Sequence, residues 1–286
     1  MFEGSIVALV TPIRNNAIDF CALEKLVEFH LNSGTDGILV CGSTGEGLLL
    51  IDEERENIIS FVIKMAASRI KILVGCSSCS TSESIRLVLM AQELGADGVL
   101  VIAPYYIKPT QLGIIEHFKQ IHTNSNIPII VYNNPGRCSI GISLDTVFEL
   151  SKLDRIVALK DSDTNLSRVT VMRSMVSEDF KLLSGDDLTL PGFLAHGGDG
   201  TISVVANLEP LVVKKLVESW KMGDIKTMVE CDQKLAPLNR ALSSESNPIP
   251  VKYALFRRGL IQNELRLPLL PASKATEMAM DKVLEI

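Results

Sequence analysis

A lysine and a tyrosine close two successive apolar runs of this sequence, and both side-chain types suit covalent chemistry. Lys160 ends the run 156–160, and Tyr132 ends the run 127–132. An amine at the end of a buried strand is costly to keep charged, and the neutral amine can add to a ketone to form a Schiff base. A phenol within reach could serve as the general acid and base of that addition. Two plainer interpretations stay open on these residues alone: an ion pair of Lys160 with Asp161 or a neighbouring carboxylate, and a buried tyrosine whose hydroxyl is bonded to a backbone carbonyl.

Two loops carry groups that could hold a carboxylate. In the stretch GSTGE at 42–46, glycines allow close approach of the backbone, and the hydroxyls of Ser43 and Thr44 could contact a small anion together with the amides. Arg137 follows Asn-Pro-Gly in a second loop, where its guanidinium could clamp a carboxylate through two parallel hydrogen bonds. Ordinary turn chemistry and a solvated arginine are the alternative interpretations.

The elements that must position these residues alternate regularly along the chain. Short, continuously apolar runs, typical of parallel strands covered by helices, are separated by helical patterns. The runs occupy 6–10, 38–41, 71–75, 98–103, 127–132, 155–160, 180–185 and 200–204. This order predicts an α/β protein, a (β/α)8 barrel over residues 1–224, with its chemistry at the carboxyl ends of the strands. Residues 225–286 have no strand run and several prolines, which predicts a C-terminal helical extension.

Composition narrows the classes of protein and of partner. With 47% hydrophobic and 22% charged residues the chain suits a globular fold, and its net charge of -6 disfavours nucleic acid as a partner. No apolar run approaches the roughly 18 residues that cross a bilayer, and residues 1–4 lack a basic region, so we expect a cytoplasmic protein without a membrane partner. The six scattered cysteines predict free thiols, and the spacing of the four histidines predicts no metal site.

Stretches along essentially the whole chain resemble the pyruvate-dependent class I aldolase superfamily and, within it, the dihydrodipicolinate synthase (4-hydroxy-tetrahydrodipicolinate synthase) family. They are GSIVALVTP, GSTGE, APYY, YNNPGR, LKDSDTNLSRV, LLSGDD, NPIPVKYAL and LRLPLLP. The resemblance implies a lyase of lysine and diaminopimelate biosynthesis. It would condense pyruvate, held as a Schiff base, with L-aspartate 4-semialdehyde, and it would need no external cofactor.

The resemblance also implies residue roles. Lys160 would bind pyruvate covalently and Tyr132 would move protons, in a relay with a hydroxyl residue and with a tyrosine from a neighbouring subunit. Ser43 and Tyr106 match these two relay positions. The substrate-binding set would be Thr44, Arg137, Gly185 and the backbone near Ile202. A tyrosine supplied by a neighbour implies a homo-oligomer, and the family is usually a tetramer arranged as a dimer of dimers.

Two departures from the family pattern bear on function. Ser43 stands where threonine is usual and serine occurs in N-acetylneuraminate lyases, whereas Arg137 favours the synthase. At a possible lysine effector site, Glu83 and Tyr105 match, but Cys79 and Leu48 differ from the residues usual there, which predicts weak or absent inhibition by lysine. Glu83 is also explained as the partner of Ser80 in a helix capping box. Another pyruvate aldolase, or a non-catalytic barrel that binds a small carboxylate, remains the alternative function.

Overall fold

The computed structural model describes residues 2–285 and contains a closed barrel of eight parallel strands. In chain order the strands are β1 (Gly4–Ala8), β2 (Gly37–Val40), β3 (Lys71–Gly75), β4 (Gly98–Ile102), β5 (Ile129–Asn133), β6 (Ile156–Asp161), β7 (Lys181–Ser184) and β8 (Gly200–Ser203). Each strand pairs with the next, and β8 returns to β1 through the register pair Ile6 and Ile202. The prediction of a (β/α)8 barrel is confirmed.

Helices connect the strands on the outside of the barrel. They are α1 (Phe20–Asn32), α2 (Asp52–Ala66), α3 (Thr81–Glu93), α4 (Gln111–Thr123), α5 (Leu144–Ser151), α6 (Ser167–Met175), α7 (Leu190–Ala195) and α8 (Pro210–Lys221). Each of the longer ones buries a stripe at helical spacing; in α1 this stripe includes Leu23, Leu26, Val27 and His30. The barrel is therefore packed on both faces, which explains why its strands are apolar without alternation.

The first strand lies two residues earlier than the apolar run that predicted it. Leu9 and Val10 are buried, but they follow the end of β1. The side-chain carbonyl of Asn207, beyond β8, accepts the Val10 amide at 3.1 Å, so a side chain replaces the strand partner there. Apolar periodicity reports burial and cannot detect this exchange of hydrogen-bond partner.

The C-terminal residues form the helical extension that the proline pattern predicted. It contains α9 (Ile225–Leu242), α10 (Ile249–Arg257) and α11 (Lys274–Leu284). A fully buried ion pair joins Lys252 of α10 to Glu46, which follows β2. The second carboxylate oxygen of Glu46 accepts the backbone amide of Arg266 at 2.9 Å. The extension thus contacts the loop that carries Ser43 and Thr44.

Two further predictions concern cysteines and membranes. All six cysteines are free thiols, as expected from their scattered spacing. Within residues 2–285 no helix has both the length and the apolar character that crossing a bilayer requires.

Candidate active site

Lys160 and Tyr132 face each other at the carboxyl end of the barrel. They are register partners on β6 and β5, and both are buried. The Lys160 Nζ lies 4.4 Å from the centre of the Tyr132 ring. Burial raises the pKa of the Tyr132 phenol, but the charge of Lys160 and the hydrogen bonds from Ser162 and Asn134 lower it, and the lowering prevails. The phenol is thereby adjusted toward proton transfer near the amine.

The alternative interpretation of Lys160, an ion pair with Asp161, is wrong. Successive residues of a strand point to opposite sides, so Lys160 points into the barrel and Asp161 points away from it. The Asp161 carboxylate instead bonds to Asn133 Nδ2 at 2.7 Å and to Arg168 Nε at 3.2 Å. Burial raises the pKa of Asp161, and Arg168 opposes that effect.

The Tyr132 hydroxyl is bonded by side chains and not by a backbone carbonyl, so that alternative is also wrong. It accepts a hydrogen bond from Asn134 Nδ2 at 2.8 Å and lies 3.5 Å from Ser162 Oγ. Sequence reasoning gave neither residue a role. The available signal was spacing: Asn134 and Ser162 each lie two positions beyond Tyr132 and Lys160, on the same side of their strands.

Gly185 lies where β7 ends, against the Lys160 side chain. A Cβ at this position would come 2.1 Å from Ser162 Oγ and 2.9 Å from Lys160 Cε. A side chain at this position would therefore displace Ser162 and Lys160 from the places they occupy. Gly185 lines the same cavity as Lys160, and its part in substrate binding stays a prediction.

Thr44 and Arg137 both contact Asn247, and all three line a cavity of about 240 Å³ that Lys160 and Tyr132 also line. The Thr44 hydroxyl accepts Asn247 Nδ2 at 2.9 Å, and Arg137 Nη2 donates to the Asn247 carbonyl at 2.9 Å. Asn247, from the C-terminal extension, was not singled out by sequence reasoning. A hydroxyl, a guanidinium and an amine that line one small cavity suit a small keto acid.

Three residues that the resemblance assigned to the site, Ser43, Ile202 and Tyr106, do not make the expected contacts within this chain. Ser43 lines the same cavity, but its hydroxyl forms no hydrogen bond with Tyr132. Ile202 is buried within β8, and Val204, two residues further on, lines the cavity. Tyr106 is 89% exposed and lies outside the cavity lining of its own chain. Its expected contact would have to come from another subunit.

The four residues of the possible effector site are only partly brought together. Leu48 and Tyr105 line a second cavity of about 680 Å³, which shares Ser43 and Arg137 with the first. Neither Cys79, which is exposed, nor Glu83 lines it. The Glu83 carboxylate is bonded twice by the Arg86 guanidinium, at 2.7 and 2.8 Å. The capping box with Ser80 is therefore wrong, because Ser80 bonds to Ser82 instead.

In the part of the chain that the structure describes, no three His, Cys, Asp or Glu side chains are grouped as they would be to hold a metal ion. The polar groups of the cavity are instead an amine, a phenol, hydroxyls, amides and a guanidinium. These groups supply nucleophilic, acid-base and anion-binding functions.

A buried lysine paired with a phenol at the carboxyl end of a (β/α)8 barrel defines the class of lysine-dependent aldolases. The chain belongs to the dihydrodipicolinate synthetase family, whose model matches residues 1–286. The resemblance noted from the motifs is thus confirmed.

Solved structures and sequence relatives agree with this assignment. The chain is 46% identical, over 100% of its length and 97% of the relative's, to 4-hydroxy-tetrahydrodipicolinate synthase of Aquifex aeolicus. A crystal structure of the Aquifex aeolicus enzyme is similar at a TM-score of 0.97, with 44% identity over 99% of this chain and 97% of that one. The crystal structure of a chloride-inhibited dihydrodipicolinate synthase from Acinetobacter baumannii, complexed with pyruvate, is similar at a TM-score of 0.97. The identity is 38%, over 100% of this chain and 98% of that one.

Proposed function

We propose that Lys160 binds pyruvate as a Schiff base and that the derived enamine attacks the aldehyde of L-aspartate 4-semialdehyde, giving 4-hydroxy-tetrahydrodipicolinate after cyclisation. The observation that carries this proposal is the register pair of Lys160 and Tyr132 inside a cavity that also contains Arg137. Family membership and the names of the relatives support the same activity, a lyase of lysine and diaminopimelate biosynthesis.

The steps follow from the groups in the cavity. The Lys160 amine adds to the pyruvate ketone, and the Tyr132 phenol protonates the carbinolamine hydroxyl, which leaves as water. The Tyr132 phenolate takes a methyl proton from the resulting iminium, which gives an enamine; the enamine carbon attacks the aldehyde, and the phenol returns the proton to the aldehyde oxygen. The amine of the aldehyde substrate then adds to the iminium carbon and displaces the Lys160 amine, which closes the ring and frees the enzyme. In these steps the iminium accepts the electron pair of the broken C–H bond, so the proposal requires no external cofactor.

Each substrate would have its own anion-binding group. Thr44 and the backbone that follows Ile202 would hold the pyruvate carboxylate, with Gly185 leaving room beside Lys160. Arg137, which lines the same cavity, would hold the carboxylate of the aldehyde substrate. Because this requirement favours an aldehyde with a carboxylate, it supports aspartate semialdehyde over the neutral sugar used by N-acetylneuraminate lyases.

Borohydride trapping tests the covalent step. Wild-type protein incubated with pyruvate and borohydride should gain the mass of reduced pyruvate on the peptide that contains Lys160. Lys160→Ala should gain none, although it should keep the wild-type thermal midpoint within a few degrees. Absence of an adduct on the wild-type peptide would leave the interpretation as a non-catalytic carboxylate-binding barrel.

A competition between aldehydes tests the second substrate. Aspartate semialdehyde and N-acetylmannosamine are offered separately with pyruvate, and aspartate semialdehyde should give the higher kcat/KM. Arg137→Ala should raise the KM for that aldehyde and leave trapping of pyruvate intact. Preference for the sugar would identify the chain as a lyase of the other type.

We infer a homo-oligomer from the position of Tyr106, and a tetramer arranged as a dimer of dimers from the family resemblance. This tyrosine and its neighbour Ile107 are exposed at the same end of the barrel, 89% and 60% respectively. Exposed apolar side chains beside a site are typical of an interface. Sedimentation of the purified protein measures the subunit number directly, and a cytoplasmic location remains a prediction.

We infer that lysine inhibits this chain weakly or not at all. The Glu83 carboxylate, which would have to meet a lysine amine, is already paired with Arg86, and Arg86 also contacts Asp52 at 2.8 Å. Burial of the Glu83 carboxylate is slight, and its pKa is lowered mainly by the bond to Arg86. Initial rates over a series of lysine concentrations test this inference, and strong inhibition at low lysine would contradict it.

A further inference from the structure

The phenol of Tyr132 belongs to a chain of hydrogen bonds whose directions are determined by its outer members. At one end, Asn134 caps a one-turn helix (Pro135–Cys138): its Oδ1 accepts the Arg137 amide at 3.1 Å. This bond fixes the orientation of the Asn134 side-chain amide. Its Nδ2 must therefore donate to the Tyr132 oxygen, at 2.8 Å.

Ser162 forms the other end of this chain. Its hydroxyl has one proton, and that proton is donated to the Gly185 carbonyl at 3.0 Å. The Tyr132 hydroxyl lies 3.5 Å from the same Ser162 oxygen, which donates to it when the serine proton turns away from Gly185 and can accept from it when that proton stays on the Gly185 carbonyl. In the second arrangement the order runs from Asn134 through Tyr132 and Ser162 to the Gly185 carbonyl, with each hydroxyl both accepting and donating.

We propose, on the basis of the proposed function, that Ser162 is a positioning residue that holds the Tyr132 phenol over Lys160 and stabilises its phenolate. The argument rests on two hydrogen bonds of Ser162, one with Tyr132 and one with the Gly185 carbonyl. It rests also on the close packing of Ser162 against Gly185, where an added Cβ would meet the serine oxygen. Ser43, which the family resemblance assigned to this role, has no hydrogen bond with the phenol.

The same hydroxyl suits both protonation states of Tyr132. When the phenol has given up its proton, the phenolate accepts more strongly than a carbonyl does. Rotation about the Cβ–Oγ bond of Ser162 then directs the serine proton from Gly185 to Tyr132 without movement of any heavy atom. Ser162 keeps its own proton throughout, so the only proton exchanged with the substrate is that of Tyr132.

Direct titration of Tyr132 tests the proposal. The chain has four tyrosines, so tyrosinate absorbance can be followed against pH, and Tyr132→Phe identifies the transition that belongs to Tyr132. In Ser162→Ala that transition should move to higher pH by about half a unit to one unit, because the phenolate loses a donor. The kcat should fall roughly three- to tenfold, with the KM for pyruvate within about twofold of wild type.

Two further variants decide between the hydroxyls. Ser43→Ala should leave the Tyr132 transition at its wild-type pH, and the exposed Ser174→Ala is the matched control for the substitution itself. The proposal is overturned when Ser162→Ala moves neither the transition nor kcat, or when Ser43→Ala alone moves the transition. Should Ser162→Ala fail to fold, Ser162→Cys keeps the side-chain volume and is assessed by the same two measurements.

Borohydride trapping separates this proposal from the proposed function. A pyruvate adduct on Lys160 in both wild type and Ser162→Ala, together with an unmoved Tyr132 transition, rejects the role of Ser162 and leaves the condensation intact. Failure of the wild type to form the adduct rejects the condensation itself.

Discussion

At the scale of single residues, the site depends on how closely a few side chains approach one another. Lys160 and Tyr132 are buried together, and the phenol is bonded by two residues that lie two positions further along each strand. The pKa of Tyr132 is lowered although burial alone would raise it, since polar and charged neighbours outweigh desolvation. The chemistry of the pair is thus a property of its neighbours as much as of the two residues.

Gly185→Ala should reduce catalysis far more than stability. The added Cβ would come 2.1 Å from Ser162 Oγ and 2.9 Å from Lys160 Cε, so the lysine must move. A displacement of about 1 Å is enough to lower kcat/KM for pyruvate on the order of 100-fold. Steady-state kinetics and the thermal midpoint are measured together. Gly141→Ala, whose Cβ would be 3.5 Å from its nearest neighbour, is the control and should retain activity.

At the scale of elements, the loop after β2 is fixed from the C-terminal extension. Glu46 adopts a left-handed conformation at φ 53° and has both carboxylate oxygens bonded by residues beyond 250, Lys252 and the amide of Arg266. Burial lowers the pKa of Lys252, and the charge of Glu46 opposes that effect. The loop that carries Thr44 therefore depends on residues 206 and 220 positions further along the chain.

Glu46→Ala should be strongly destabilising. It leaves the Lys252 ammonium buried without a partner, which typically lowers the free energy of unfolding by about 3–5 kcal/mol. The double variant Glu46→Leu, Lys252→Met removes both charges and should regain much of that loss. Urea unfolding at pH 7 measures each. Lys274→Ala breaks an exposed pair with Glu277 and should leave the midpoint nearly unchanged; a double variant no better than the single one would contradict the argument.

Two helices contain buried histidines that make stability depend on pH. Burial lowers the pKa of His30 in α1 and of His117 in α4 to about 4. In the unfolded chain both would titrate near 6.5, so below that pH the unfolded state binds more protons than the folded state. Their stabilising contribution is therefore present above pH 6.5 and is lost as the pH falls toward 4.

His30→Gln isolates this effect. Between pH 7 and pH 5 the wild type should lose about 2 kcal/mol of unfolding free energy through His30, and the variant should lose that much less. Urea unfolding of both proteins at both pH values gives the difference between wild type and variant. The comparison with the variant is needed because Asp161 and Asp187 have raised pKa values, so their contribution to stability changes with pH in the opposite direction. His196→Gln, at an exposed position, is the control. Equal pH dependence in wild type and His30→Gln would count against a buried neutral histidine.

At the scale of the whole molecule, the active site draws on residues from outside the barrel of its own chain: residues of the C-terminal extension and, as we propose, Tyr106 of a neighbouring subunit. We propose the division into a barrel at 1–224 and an extension at 225–286 as a description of topology, because Asn247 and Lys252 of the extension contact the active-site loop directly. The second contribution is Tyr106, which is too exposed to serve its own cavity and would serve a neighbour's. A complete site would then need one barrel, its extension and a second subunit.

Mixed oligomers test whether Tyr106 acts in a neighbouring subunit. Lys160→Ala and Tyr106→Phe, each with a different affinity tag, are co-expressed and isolated through both tags. In a symmetric mixed dimer about one site in two combines an intact Lys160 with an intact Tyr106, so activity should exceed that of either parent. Separately expressed parents mixed after purification serve as the control. Activity no higher than the mean of the parents would show that Tyr106 does not act between subunits.

The sequence by itself determined the eight strands, the barrel and the helical extension, and it directed attention to Lys160, Tyr132, Thr44 and Arg137, whose roles stay predictions. Apolar runs report burial, and residue types at strand ends report chemistry, so both can be detected along one chain. Only the tertiary structure decided that Asp161 points away from Lys160, that Asn247 reaches Thr44 across 203 positions, and that Ser162 rather than Ser43 bonds to the phenol. Such contacts depend on register, loop path and side-chain direction, which are set when the barrel closes.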